Sequence, residues 1–123
     1  MLNNASQSYR TNSVTTATSA ELTLMLYEGA IRFIKQAKLA LGEKDLIKTN
    51  ELVIKAQDIT SELMITLDRS VPISEQLLIM YEYLHRRLVE ANVRKDVAIL
   101  SEVQDFYMEF RNTWKEAMIL AKK

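Results

Sequence analysis

The sequence predicts an all-α protein: an antiparallel up-and-down four-helix bundle over residues 19–123, preceded by a flexible or weakly docked N-terminal arm over residues 1–18. Three observations predict it. Apolar residues recur with a 3.6-residue period in four successive stretches, no stretch of comparable strength alternates with the period of a strand, and the breaks between stretches are only a few residues long. Short connections make neighbouring helices antiparallel.

The arm, MLNNASQSYRTNSVTTAT, holds ten Ser, Thr or Asn and only Met1, Leu2, Tyr9 and Val14 as sizeable apolar side chains, too few for a core of its own. A first helix over about residues 19–41 follows, with Thr18 as N-cap, Glu21 completing a capping box and Gly42 as the left-handed stop. It is apolar around nearly its whole circumference. Leu22, Met25, Leu26, Phe33 and Ala37 form one stripe, and Leu24, Tyr27, Ile31, Ile34 and Leu41 another on roughly the opposite side. Only Glu21, Glu28, Arg32 and Lys35 are left for water. Either this helix is the central element of the bundle, or part of its second stripe is kept for another molecule.

Asp45 caps a second helix over about residues 45–70, ended by Pro72, with a core stripe of Leu46, Val53, Ala56, Thr60, Leu63 and Leu67. Ser74, with Glu75 and Gln76, begins a third over about 74–93, whose stripe is Leu77, Tyr81, Leu84, Leu88 and Ala91. After the turn at Arg94 and Lys95, Asp96 caps a fourth over about 96–122. Its stripe runs Ile99, Leu100, Val103, Tyr107, Phe110, Trp114, Ala117 and Ala121.

Composition narrows the function. Sixteen basic residues balance 16 acidic ones, so no field draws in nucleic acid or an anionic membrane. The absence of cysteine removes thiol catalysis, thiolate metal sites and disulfides together. No signal-peptide pattern is present, and the longest apolar runs are five residues, as in residues 77–81; a cytoplasmic protein is expected. Catalysis has no support: the one histidine, His85, stands beside Glu82 without the further ligands a bundle metal site needs, and no Gly-rich phosphate loop or nucleophile motif occurs. No cofactor or metal is expected.

Apolar residues off the core stripes are more informative. Ile47, Ile54 and Ile65 recur on the outer face of the second helix, and Leu78, Val89 and Val93 lie off the stripe of the third. Wide interfaces around a central helix explain many such positions. Rows this regular also suit a shallow groove that accepts amphipathic helices of another protein. Tyr9 is the one side chain of the arm able to bury a large area, and it can fold back onto such a groove.

Several motifs are specific. They are Tyr9-x-x-Asn12-x-Val14; Thr16-Ala17-Thr18 followed by Glu21-Leu22-Thr23-Leu24-Met25-Leu26-Tyr27-Glu28-Gly29; Ala56-Gln57 with Ile59; Tyr81-x-Tyr83-Leu84-x-Arg86-Arg87-Leu88-x-x-Ala91-Asn92 with Asp96; and Trp114-Lys115-x-Ala117. In this order, across residues 9–117, the chain resembles the FliS family of flagellar secretion chaperones. Ser19 departs from the pattern, which usually has proline at the first helical position.

The resemblance implies a cytoplasmic export chaperone that binds the disordered C-terminal segment of flagellin, largely as helices, preventing premature polymerisation and keeping it competent for flagellar type III secretion. The apolar rows Ile47, Ile54, Ile65, Leu78, Val89 and Val93 are then candidate groove residues. Tyr9, Asn12 and Val14 become a regulatory arm that yields to the client. The resemblance also implies contact with the export gate and the assembly factor FliW. A monomer is expected when the protein is free. The rival reading is a homodimer in which the same rows pair two copies.

Overall fold

The computed structural model describes residues 17–122. They form four helices, α1 (Ser19–Gly42), α2 (Leu46–Thr66), α3 (Ser74–Arg94) and α4 (Val97–Ala121), with no strand among the described residues. Helix α1 packs on α2 and α4, and α3 packs on the same two, so the helices stand in a ring in chain order. The pairs α1–α3 and α2–α4 are its diagonals.

The helix starts follow from their caps. Thr18 Oγ1 accepts from the Glu21 amide and Glu21 Oε1 accepts from the Thr18 amide, both at 3.1 Å, and hydrogen bonding from the Thr18 backbone, then from its side chain, holds the Glu21 carboxyl below its ordinary pKa. Asp45 accepts from the Lys48 amide, and Asp96 accepts from those of Ala98 and Ile99.

Two helix ends depart from the sequence expectation. Gly42 stays helical, and the left-handed residue is Lys44, at φ 61°. Around it the Asp45 amide bonds Ala40 O and the Lys44 amide bonds Leu41 O, a Schellman closure. The same device ends α3, where Lys95 stands at φ 51° and the Asp96 amide reaches Ala91 O. In both turns a left-handed lysine is followed at once by an aspartate N-cap. Helix α2 stops at Thr66, short of the expected Ser70. Asp68 Oδ1 accepts from both the amide and the hydroxyl of Ser70, a local alternative that competes with another helical turn. Ser74 is buried in the first turn of α3, where its hydroxyl donates to Arg69 O.

Both stripes of α1 are covered by the chain itself. Leu26, Phe33 and Ala37 are buried on one side and Tyr27, Ile31 and Ile34 on the other, so α1 is the enclosed element of the bundle. Gly29 permits its approach to α2, since a Cβ there would stand 3.1 Å from Ile59 Cδ1. Of the expected core positions, Leu46 lies outside, 52% exposed at the start of α2, and Ala117 and Ala121 are exposed in the final turns of α4.

The diagonals are closed by hydroxyl groups. Tyr27 Oη and Tyr81 Oη are 2.6 Å apart across α1 and α3, and Thr60 shares a hydrogen bond with Tyr107 across α2 and α4. The Thr60 hydroxyl also lies 3.0 Å from Ala56 O. Burial pushes all three phenols upward in pKa, which keeps them protonated and able to donate. The Tyr27 ring meets those of Tyr107, Phe110 and Trp114 at centroid distances of 5.8–6.1 Å.

At the α3–α4 seam, Glu102 accepts from Tyr83 Oη at 2.6 Å and Arg87 Nε at 2.8 Å, so Arg87 is tied across helices as well as to Glu90. These two donors lower the Glu102 pKa.

Tyr81→Phe leaves the buried Tyr27 hydroxyl without its partner. Urea denaturation is expected to show a loss of about 1–3 kcal/mol, and the Tyr27→Phe, Tyr81→Phe double variant less than the sum of the single losses. Lys44→Gly relieves a left-handed side chain and is expected to raise stability by up to about 1 kcal/mol. Lys95→Gly is expected to give less, because Lys95 Nζ donates to Asn92 O at 2.7 Å.

Candidate functional site

Ile47, Ile54 and Ile65 are spaced by seven and then 11 residues, which returns each to nearly the same outward face of α2. They are 77%, 40% and 77% exposed. On α3, Val89 and Val93 are exposed and Leu78 is half-buried. The two rows stand on the outward side of the neighbouring helices α2 and α3, along their shared edge. Asn92 Nδ2 donates to Asn50 Oδ1 at 2.7 Å across α2 and α3, which sets the antiparallel register. That register puts Ile47 level with Val93, Ile54 with Val89 and Ile65 with Leu78. At 1.5 Å rise per residue the levels are about 10 Å and about 16 Å apart along the edge. The result is a ladder of three apolar rungs about 26 Å long.

His85 lies on this edge between Leu78 and Val89, half-buried, with exposed Glu82 one turn before it. Among the described residues no group of three His, Cys, Asp or Glu can hold a metal. What the edge offers is mainly apolar area, interrupted by His85 and Glu82.

A cavity of about 320 Å³ opens at the end of the bundle that carries the α2–α3 connection. Leu67, Val71, Ile73, Leu77, Tyr81 and Trp114 wall it, together with Ser19 and Ala20 at the start of α1. The Trp114 indole is fixed by donating Nε1–H to Ala20 O at 2.9 Å. Val71 and Ile73 are 42% and 57% exposed. Sequence reasoning passed over these two because periodicity carries no information inside a short connection; the signal available was an apolar residue on each side of Pro72. Tyr9, Asn12 and Val14 lie outside the described residues.

No helix among the described residues is long and apolar enough to cross a membrane. The family model described as flagellar protein FliS matches residues 1–121. The flagellar secretion chaperone FliS of Bacillus subtilis is 43% identical over 122 residues, covering 99% of this chain and 92% of that protein. The proteins of the same name from Salmonella typhimurium and Escherichia coli are 31% and 27% identical, over 85% and 88% of this chain and 80% and 82% of their own lengths.

Proposed function

The chain belongs to the FliS family of flagellar proteins, whose named relatives are secretion chaperones and not enzymes, and from that premise we propose that it holds the disordered C-terminal segment of flagellin on its α2–α3 edge. The observation that carries this reading is the ladder of Ile47, Ile54, Ile65, Val89 and Val93, exposed apolar side chains that a self-contained bundle has no use for, with half-buried Leu78 at its lowest level.

The physics suits a client that is unfolded when captured. Rungs about 26 Å from end to end match a helix of about 18 residues with apolar anchors on one face. A disordered segment becomes helical as it settles, so part of the gross binding energy, about 2–5 kcal/mol or more, goes into ordering it. That cost keeps the complex releasable by competition, with no nucleotide hydrolysis in this chain. While bound, the client's apolar faces are covered and premature polymerisation is blocked. The client remains without tertiary structure and so stays competent for flagellar type III secretion. This happens in the cytoplasm, before export. The export gate and the assembly factor FliW complete the partners of this reading, which involves neither nucleic acid nor membrane. The free protein is a monomer.

Calorimetric titration with a peptide of the flagellin C-terminal segment is expected to give one-to-one binding, a large negative heat-capacity change and a gain of helix. Ile54→Glu and Val89→Glu, both at exposed positions, are expected to weaken it about tenfold or more with the fold unchanged. Absence of binding together with a dimeric mass by light scattering overturns the reading in favour of self-association.

Within the same proposal Tyr9, Asn12 and Val14 form an arm that shields apolar surface until the client displaces it. Deletion of residues 1–15 is then expected to strengthen binding of the flagellin peptide. Unchanged affinity removes the arm from the mechanism.

A further inference from the structure

The helix ring sets the α1–α4 edge opposite the α2–α3 edge. Its character is different. Glu28, Ile31, Arg32, Lys35 and Leu39 of α1 and Arg111 of α4 line a trough of about 400 Å³. A second depression of similar size shares Leu39 and continues it past Glu43 toward Lys48. Ile31 is 4% exposed and forms the floor, while Leu39 stands on the lip, 70% exposed.

Charge on the rim is unbalanced. The first depression has three cations to one carboxylate, and the second adds one charge of each sign. Neither Lys35 nor Arg111 forms an ion pair among the described residues, whereas Arg87 and Arg94 both do. The reason is local. Three and four residues to either side of Lys35 stand Arg32, Lys38, Ile31 and Leu39, and around Arg111 stand Met108, Trp114, Tyr107 and Lys115. No carboxylate occupies a helical-neighbour position for either cation, so their charge is left to be compensated from outside the helices that carry them.

An apolar floor beneath a positive rim is complementary to a helix with one apolar row flanked by Asp or Glu. We propose that the α1–α4 trough is a second docking surface, taken by an acidic amphipathic helix of a partner protein while the opposite edge is occupied. The trough's chemistry stands independently of the flagellin reading; simultaneous occupation rests on it. The chain would then act as a two-sided adaptor whose faces are told apart by charge.

The test is fluorescence anisotropy on the full chain with a labelled helical peptide of about 16 residues, leucine on one face and glutamate elsewhere, beside a counterpart with lysine for every glutamate. The acidic peptide is expected to bind and the basic one not. The double variant Lys35→Glu, Arg111→Glu is expected to lower affinity about tenfold or more, and higher salt to weaken binding further. Saturating flagellin peptide is expected to leave the acidic peptide bound. Equal binding of both peptides, no effect of the double variant, or loss of binding with Ile54→Glu overturns the proposal. So does a doubled mass that the double variant abolishes, which assigns the trough to a second copy. If the flagellin peptide fails to bind while the acidic peptide still does, the flagellin reading falls and the trough survives.

Discussion

The bundle depends on two hydrogen bonds buried where its diagonals cross. Helices that meet only through leucine and alanine can slide by a turn and still bury similar area, because dispersion is not directional. A phenol that loses its partner in the core cannot slide so cheaply. Tyr27 to Tyr81 fixes α1 against α3, and Thr60 to Tyr107 fixes α2 against α4, so the two helix pairs without direct backbone packing are held by polar groups. Tyr27 stacks near Tyr107, which couples the two bonds into one layer. That layer fixes the register of the two diagonal pairs.

This register determines what the molecule can offer outward. Because α1 packs against both α2 and α4, most of the apolar surface of its two stripes is consumed internally, while Leu39, outside them, stays exposed. Much of the unspent apolar area sits on the outer side of the α2–α3 hairpin and at the bundle end beside it, with more at Leu39 of α1 and at Ile119 and Leu120 of α4. Function in a secretion chaperone is a matter of which faces remain uncovered, and here the ring order decides it. Two opposite edges of the ring differ in kind: one is a ladder of isoleucine and valine, the other a basic trough with a narrow apolar floor.

The fold was legible because its signals are local and redundant. The Thr18 box, the Asp45 and Asp96 caps and the periodicity each act within a few residues, and the structure realises the same bonds. Gly42 misled because a left-handed position is fixed by how the next cap is reached, and Asp45 draws it two residues on, to Lys44. Leu46 and the last alanines of α4 misled because period alone does not say how far a neighbouring helix extends. The isoleucine row of α2 was visible by spacing, but its pairing with Val89 and Val93 needs the Asn50–Asn92 register, which is tertiary. The cavity at the bundle end draws residues from all four helices and one connection, a set that no linear pattern announces. Lys35 and Arg111 look like ordinary solvated charge until α1 and α4 are seen side by side.

The two lysine–aspartate turns lie at one pole of the bundle, while the wider α2–α3 connection, the cavity, the start of α1 and the end of α4 lie at the other. One pole is bolted by tight backbone closures; the other is loosely tied. A pull on the two ends of the described chain therefore enters at the loose pole and runs along helices anchored at the far end. Load of that geometry opens contacts in sequence, as a zip does, and does not have to break a whole helix interface in a single shearing event. Yielding should begin around Trp114 and Ala20 and meet its greatest resistance at the hydroxyl layer, which makes the molecule mechanically soft at one end while it remains thermodynamically whole.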